Sequence, residues 1–387
     1  LRPTLQFAFK QSAVVSASLS VLLISLTAPN ASAVDVFVAP HGHDANDGNR
    51  DKPLATLQQA RDTIRKMKQA KALDGPVNVW LSGGVYRLNE TVLFTAADSG
   101  TSDAPISYAS LPGERAVLSG GLALKGTWIQ VPGKSYWQLD VPQVRATAWN
   151  FLFLYADGQS RTRARYPNYG DKVLRAEGRD PGGDPRQALR YLPGDVDPNW
   201  SHPTDIDVVL LCSWTPTIHR IREIDTDRRV LRFFSSHYRT VDFWEQNFRY
   251  YLSNVLEALD EPGEWYLDRH TGTLYYYPMP DEDIQQVEFT APLMKSTLVQ
   301  FDCDVDAGET IEHLHFRDIR FQCVDGDMDQ HNGVYRQGHM YLDAAITARG
   351  LRSASLQRCE FTQLGEYALE LADGCRNIVV RQCHFWD

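Results

Sequence analysis

Two carboxylates near the end of the sequence, Glu366 and Asp387, are spaced so that they could act together in catalysis. They follow two segments of one pattern, "LQRCEF" and "VRQCHF", in which Cys383 comes 24 positions after Cys359. If these segments form neighbouring strands about 4.8 Å apart, the two carboxyl groups share one face. Hydrolysis of a glycosidic bond requires such a pair, one protonated and one ionised. We therefore predict that Asp387 and Glu366 are catalytic. The alternative is that both are solvated side chains of exposed turns.

A second candidate set lies in the polar, glycine-rich stretch "QCVDGDMDQHNGVYRQGHMYLDA". Long loops concentrate binding groups, and a tyrosine ring offers a face on which a sugar can stack. The predicted substrate-binding residues are Asp327, Tyr335, His339 and Asp343, within a loop that also carries Asp325, Asp329 and His331. The alternative is an acidic surface loop. "DGDMD" begins like a calcium loop but lacks the later bidentate Glu, so its calcium signal is incomplete and we predict no cofactor and no metal site.

Two further motifs have a chemical and a structural interpretation each. Arg161, Arg163 and Arg165 alternate along a predicted strand, so they could clamp a carboxylate-bearing sugar or form structural ion pairs. "HDANDG" (43–48) is interpreted as a polar turn before a helix rather than as a metal site. A nucleophile elbow, a phosphate loop and a dinucleotide fingerprint are all missing from the sequence.

The elements that would position these groups repeat along the chain. Aligning "HFRDIRF", "SLQRCEF" and "VVRQCHF" produces three columns, which are Phe316/Leu356/Val380, Ile319/Cys359/Cys383 and Phe321/Phe361/Phe385. A period in the twenties with inward apolar columns is typical of a solenoid whose coils bury their faces against each other. We predict an all-β fold, a right-handed parallel β-helix. The alternative is that two of these strands are unrelated and match by chance.

Differences in composition and in the predicted elements divide the chain into four parts. Residues 1–33 are predicted as a signal peptide, 34–121 as an N-terminal cap with the first β-helix coils, 122–296 as a β-rich, sandwich-like insertion, and 297–387 as further coils. The cap includes a helix from about Leu54 to Ala70, with Pro53 where the helix begins. In the insertion, "DRHTG" between "EWYL" and "TLYYYP" predicts a hairpin.

The net charge of the chain and its N-terminal leader limit where the protein is located and what it can bind. A net charge of −10 argues against a surface for nucleic acid or anionic membranes. Arg2 and Lys10 precede the apolar stretch "SAVVSASLSVLLISLTA", and "ASA" fits a cleavage site. We predict cleavage after Ala33, a secreted or periplasmic protein, and no membrane contact afterwards; the alternative is a membrane anchor. The six cysteines show no metal-knuckle spacing, and we expect stacked thiols rather than disulfides.

Four stretches resemble the secreted bacterial right-handed parallel β-helix proteins of the pectate-lyase-like superfamily, and within it the glycoside hydrolases of family 141. They are residues 37–65, 155–168, 254–278 and 359–385, of which the second and third are the most specific. The resemblance implies a secreted enzyme that removes fucosyl or xylosyl units from plant or microbial polysaccharide. Members of this group continue for several coils beyond the position of Asp387, so we expect a C-terminally truncated sequence that lacks part of the active site.

Two other functions fit the same scaffold. A polysaccharide lyase would abstract a proton next to a uronate carboxyl group. Because Lys295 is the last lysine and follows a long stretch without any, its base would be an arginine. A non-catalytic glycan-binding or adhesive protein would display the aromatic and acidic loops without turnover. Nothing in the sequence indicates an oligomeric state.

Overall fold

The structure is a computed structural model that describes residues 33–147, 149–212, 216–295, 297–326, 342–365 and 367–386. It consists mainly of short strands joined by turns, so the predicted all-β class is confirmed. The sheets are of two kinds, parallel at both ends of the described chain and mainly antiparallel in its centre.

The first part of the chain contributes strands to the parallel sheets. These elements are β1 (Val34–Val38), α1 (Leu57–Gln69), β2 (Val77–Leu81), β3 (Gly84–Arg87), β4 (Val92–Phe94), a 3-10 helix (Ala96–Asp98), β5 (Ile106–Ser110) and β6 (Ala116–Ser119).

The middle of the chain forms the antiparallel sheets, and we call it the central region. Its elements are β7 (Gly121–Ala123), β8 (Ile129–Gln130), β9 (Trp137–Asp140), α2 (Pro142–Thr147), β10 (Leu154–Ala156), β11 (Gln159–Arg163), β12 (Arg165–Tyr166), β13 (Leu174–Arg175), β14 (Gly178–Arg179), β15 (Ala188–Arg190), a 3-10 helix (Pro203–Asp205), β16 (Asp207–Leu211), β17 (Pro216–Asp225), β18 (Val230–Phe233), β19 (Arg249–Ser253), a 3-10 helix (Leu256–Ala258), β20 (Glu264–Asp268), β21 (Thr273–Tyr276) and β22 (Phe289–Pro292).

The last part of the chain returns to the parallel sheets. It contains β23 (Val299–Phe301), β24 (Ile311–Glu312), β25 (Leu314–Arg317), β26 (Ile319–Val324), β27 (Ala344–Ala348), β28 (Leu351–Arg352), β29 (Ser355–Gln357), β30 (Glu360–Leu364), β31 (Tyr367–Leu371), β32 (Val379–Arg381) and β33 (His384–Phe385).

Three parallel sheets receive strands in a fixed order. The first has the order β1-β2-β5-β25-β29-β32, the second β3-β6-β26-β30-β33, and the third β4-β23-β27-β31. Going along the chain, β25, β26 and β27 enter the first, second and third sheet in turn, and β29, β30 and β31 repeat that sequence. Each strand therefore pairs with the equivalent strand of the preceding turn of chain.

The predicted columns are confirmed by the strand register. Phe316 pairs with Leu356 and Leu356 with Val380, while Phe361 pairs with both Phe321 and Phe385. The phenylalanine rings stack with centroids 5.1 Å and 4.8 Å apart, close to the spacing of neighbouring strands. The column of Ile319, Cys359 and Cys383 also packs in the core of the parallel sheets. All six cysteines are free, as expected from stacked thiols.

The corners between the first and second sheets repeat as well. Asp318, Arg358 and Gln382 hold the same position in successive turns of chain and have φ values of 60°, 50° and 56°. This left-handed backbone turns the chain from one sheet to the next. The Arg358 guanidinium also donates to both carboxylate oxygens of Asp318, at 2.6 and 2.7 Å. The repeat therefore includes the turns as well as the apolar columns.

The helix α1 begins later than the sequence predicts. It starts at Leu57 instead of Leu54, because the Thr56 hydroxyl accepts a hydrogen bond from the Gln59 amide and acts as N-cap. Asp44 accepts from the amides of Ala55 and Thr56, which holds the preceding residues extended. The motif "HDANDG" thus lies in a turn that prepares the helix, in agreement with its structural interpretation.

The central region leaves and rejoins the parallel sheets at one place. Its first and last strands pair with each other, with Gly121 opposite Pro292. The strands of this region, β7 and β22 included, form two eight-stranded sheets with their own apolar cores. The predicted hairpin is confirmed, since β20 and β21 pair antiparallel with Trp265 opposite Tyr276. A strand pair at the base lets a large unit be inserted without interrupting the stacked sheets.

Candidate active site

A buried carboxyl group lies where the second parallel sheet meets the central region. Asp325 directly follows β26, and only 1% of its surface is exposed. Its side chain accepts hydrogen bonds from the Leu152 amide at 3.2 Å and from the Gly326 amide at 3.0 Å. Its own amide donates to the Met294 carbonyl at 2.9 Å. These contacts hold the carboxyl group in one orientation between two parts of the fold.

Burial changes the proton affinity of this group. It raises the pKa of Asp325 from its ordinary value of 3.8 to about 7, against the backbone hydrogen bonds from Leu152 and Gly326 and the positive charges of Lys295 and Arg163. Desolvation dominates because the charged form loses its water while gaining only two amide donors. A carboxyl group that holds its proton near neutral pH can act as a general acid.

The neighbouring strand is fitted closely against this carboxyl group. The Gly365 amide donates to the Val324 carbonyl at 2.8 Å, and a Cβ atom at Gly365 would lie 2.6 Å from the Gly326 nitrogen. Glycine is therefore needed at this position. Two residues earlier, the Gln363 side chain donates to the Gly158 carbonyl at 2.9 Å. Both parallel strands at this corner are thus tied to the central region.

A cleft of about 320 Å³ crosses the outer face of the third parallel sheet. Its walls include Gln300, Thr347 and Glu370, which are paired across β23, β27 and β31, together with Asp302, Asp343 and Arg349. The Tyr367 amide donates to the Asp343 carbonyl at 3.2 Å. Gly365, directly after β30, therefore contacts the Asp325 corner, and Tyr367, the first residue of β31, contacts a residue that lines this cleft.

The structure describes one of the six site residues predicted from the sequence. Asp343 is half-buried and lines the cleft of the third sheet. Asp387, Glu366, Asp327, Tyr335 and His339 lie outside the described residues, so their roles stay predictions. By sequence position, Asp325 is one of the loop carboxylates. Its burial, which separates it from them, depends on contacts with Leu152 and Met294 that no local pattern signals.

The alternating arginines have structural partners. The Arg161 guanidinium pairs with Glu282, and that of Arg163 with the buried Asp207 at 2.7 Å. Arg165 donates to the Pro167 carbonyl and lies over the Tyr251 ring, 3.7 Å from its centroid. The ion-pair interpretation of Arg161 and Arg163 is confirmed, because each guanidinium group pairs with a carboxylate inside the central region.

The described part of the chain holds neither a cluster suited to a metal ion nor a helix suited to a membrane span. Within the described ranges, no group of three or more His, Cys, Asp or Glu side chains is arranged to hold a metal ion. In that part of the chain, no helix combines the length and apolar composition that crossing a bilayer requires.

Residues 133–279 match the sequence profile of a family described as "GH141 insertion domain". This segment lies within the central region, and the match confirms the likeness to family 141 that the sequence predicts.

Solved structures extend the likeness beyond this segment. The chain is similar to a structure described as a glycoside hydrolase, with a TM-score of 0.78, 25% sequence identity, and coverage of 90% of this chain and 65% of that one. This chain thus spans a little under two thirds of that hydrolase. A structure of XylC in complex with xylose has a TM-score of 0.35 and 13% identity over 90% of this chain and 58% of that one, too distant to carry an argument. None of the curated proteins matches the chain.

Proposed function

We propose that the protein is a glycoside hydrolase that cleaves uncharged glycosyl units from a polysaccharide or oligosaccharide. The observation that carries this proposal is the TM-score of 0.78 with a glycoside hydrolase over 90% of the chain. The insertion-domain match over residues 133–279 supports the same family. The family resemblance seen in the sequence suggests fucosyl or xylosyl units as the sugars released.

We further propose that the parallel sheets form a right-handed β-helix. The support is the fixed order in which the chain enters the first, second and third sheets, and the parallel register between successive turns of chain. Such a scaffold places equivalent residues about 4.8 Å apart, which suits paired carboxyl groups.

In the proposed mechanism, Asp325 is the general acid. Its carboxyl group carries a proton near neutral pH and gives it to the oxygen of the departing sugar as the glycosidic bond breaks. A second, ionised carboxylate attacks the anomeric carbon or removes a proton from the attacking water. The candidates for this carboxylate are Asp343 and Glu370 in the cleft of the third sheet and the sequence-predicted Glu366 and Asp387.

The charges of the cleft favour hydrolysis over a lyase reaction. A lyase binds a uronate and needs cationic side chains to offset its carboxylate. Among the described residues, the cleft carries Asp302, Asp343 and Glu370 against one arginine, Arg349, whose guanidinium already pairs with Asp306 at 3.2 Å. An acidic cleft repels a uronate and accepts hydrogen bonds from the hydroxyl groups of an uncharged sugar.

For location, we propose a secreted or periplasmic bacterial protein whose signal peptide is cleaved after Ala33. The support is the leader-like pattern of the first 33 residues. Sequencing the N-terminus of the protein recovered from the culture medium or periplasm tests this, and a mature chain that still begins before Val34 contradicts it.

The test of the proposed activity is incubation with fucosylated xyloglucan and with arabinoxylan. Hydrolysis is expected to release fucose or xylose with new reducing ends and without ultraviolet-absorbing unsaturated products. Polygalacturonate serves as the charged control and should remain intact. Unsaturated products from polygalacturonate would identify a lyase and overturn the proposal.

A further inference from the structure

A second cleft, of about 530 Å³, lies entirely within the central region. We call it the aromatic cleft and define it by Tyr166, Asp197, Trp200, Glu257 and Asp260. Its residues come from β12, from the segment before the 3-10 helix Pro203–Asp205, and from the vicinity of the 3-10 helix Leu256–Ala258. None of them belongs to the parallel sheets that carry the candidate active site.

Two aromatic rings form a rigid corner of this cleft. Tyr166 and Trp200 meet edge to face, with centroids 5.4 Å apart and planes at 70°. Both side chains pack against the apolar core of their sheet, yet each remains partly exposed. An aromatic face with its reverse side anchored is the surface on which the C–H groups of a sugar ring stack, because those hydrogens carry partial positive charge and the ring face partial negative charge.

Three carboxylates lie around this corner, and in each of them one oxygen accepts a hydrogen bond from the protein. One oxygen of Asp197 accepts from the Asn199 amide at 2.8 Å, one of Glu257 from the Ser201 amide at 2.8 Å, and one of Asp260 from the Asn168 side chain at 3.0 Å. Within the described residues, the other oxygen of each carboxylate makes no hydrogen bond or ion pair, and all three side chains are exposed. Each carboxylate is therefore held in place through one oxygen, and its other oxygen can accept a hydrogen bond from a ligand.

The chemistry of the lining restricts the ligand. The described residues around the cleft include no lysine or arginine, so a uronate or sulfated sugar would be repelled. Nor do the three carboxylates form a group that could hold a metal ion, which separates this site from a calcium site. Aromatic faces combined with fixed acceptors suit a ligand that has apolar C–H faces and many hydroxyl donors.

We propose that the aromatic cleft is a binding subsite for uncharged sugar residues of a glycan, separate from the site of hydrolysis. The Tyr166 and Trp200 rings stack on the sugar, and the free oxygens of Asp197, Glu257 and Asp260 accept hydrogen bonds from its hydroxyl groups. The subsite rests on the proposed hydrolase function only for the choice of probes, because its lining is independent of Asp325 and of the third sheet.

The test is affinity electrophoresis of the protein in native gels that contain arabinoxylan, fucosylated xyloglucan or polygalacturonate. The protein should be retarded by at least one of the two neutral polysaccharides and unaffected by polygalacturonate, with or without calcium. Trp200→Ala should weaken the retarding interaction at least tenfold. Trp244→Ala, which removes an exposed tryptophan outside the cleft, is the matched control and should bind like the parent protein.

A second variant covers the case in which Trp200→Ala unfolds. Asp260→Asn changes an exposed side chain without changing its shape, keeps an acceptor for Asn168, and should weaken binding about threefold to tenfold with an unchanged melting temperature. Retardation by neither neutral polysaccharide overturns the proposal. Binding that survives both variants, or that is lost in Trp244→Ala instead, overturns it as well.

The same variants distinguish this subsite from the proposed hydrolytic site. If no glycan is hydrolysed but retardation depends on Trp200, the hydrolase proposal fails and the subsite stands. If hydrolysis occurs and retardation is lost in Asp325→Asn but not in Trp200→Ala, the glycan binds only at the hydrolytic site and the aromatic cleft is not a subsite.

Discussion

Replacing Asp325 by Asn tests whether this carboxyl group is catalytic or structural. The substitution keeps the shape of the side chain but removes its proton exchange and one of its two acceptor oxygens. Asp325 is 1% exposed and accepts hydrogen bonds from Leu152 and Gly326. The substitution should therefore change both the stability of the protein and its activity.

The effect on stability depends on pH. Between the ordinary pKa of 3.8 and about 7, the folded protein binds a proton at Asp325 that the unfolded chain has released. Stability from this group is therefore present at low pH and is lost as the pH rises towards 7. At 1.36 kcal/mol per unit, the loss is about 4 kcal/mol. The Asn variant has no such dependence, but it gives up one amide hydrogen bond, which costs about 1 kcal/mol. It should be slightly more stable than the parent at pH 5, where the parent has already lost about 1.6 kcal/mol, and more stable by about 3 kcal/mol at pH 8.

The effect on activity should be largest below about pH 7, where Asp325 of the parent protein holds its proton. A missing general acid lowers the rate of glycoside hydrolysis by about 100-fold to 10,000-fold. The parent protein should also lose kcat as the pH rises through about 7, where Asp325 releases its proton. In Asp325→Asn, the residual activity should lack this alkaline decline. Urea unfolding and reducing-end assays across pH 5–9 measure the two properties on the same samples.

Glu264 provides a matched control inside the central region. It is 2% exposed, and burial raises its pKa to about 7, against hydrogen bonds from the Glu261 and Asp260 amides. Glu264→Gln should therefore reproduce the altered pH dependence of stability and leave kcat unchanged. The reasoning is refuted if Asp325→Asn retains full activity, because Asp325 would then be a structural group like Glu264.

Three further predictions concern the scaffold. Phe361→Ala, between the stacked rings of Phe321 and Phe385, should lower the free energy of unfolding by about 3–5 kcal/mol in urea titrations, and a smaller change would contradict the stacked core. Burial lowers the pKa of His219 from 6.5 to about 3, so stability should fall as the pH drops from 6.5 towards 3, and His219→Gln should remove that slope in melting curves. Asp207→Asn removes the charge that pairs with the buried Arg163 guanidinium and should lower the free energy of unfolding by about 3–5 kcal/mol. Arg186→Met, which breaks an exposed ion pair, should have no measurable effect on the free energy of unfolding. Similar losses in both variants would contradict the role assigned to burial.

The repeating part of the fold could be predicted because its signal is local. The columns through Phe321 and Phe361 rest on a spacing that one strand and its turn define, and the register confirms them. The hairpin at β20 and β21 was predictable for the same reason, since "DRHTG" contains its whole turn. The start of α1 was misplaced because the Thr56 cap depends on Asp44, which lies 12 positions earlier in another turn.

The candidate site could be predicted only in part because its chemistry depends on distant contacts. As a sequence position, Asp325 is one of several loop carboxylates. Burial raises its pKa, and the buried carboxyl group contacts the central region, whose Leu152 is 173 positions away in the chain. Likewise, the aromatic cleft joins Tyr166, Trp200 and Glu257, which no single motif connects. Residue types can indicate sugar chemistry, but which carboxyl group is desolvated is decided by tertiary packing.

The contacts of Asp325 also give the central region a role in the proposed reaction. The strand pair of Gly121 and Pro292 anchors this region beside β26, where Leu152 and Gly158 reach Asp325 and Gln363. Packing of this region against the second sheet helps to keep water from the Asp325 carboxyl group, and desolvation is what raises its pKa to about 7. The aromatic cleft lies in the same region. The central region would thus tune the proposed acid and also present the separate surface proposed to hold the glycan.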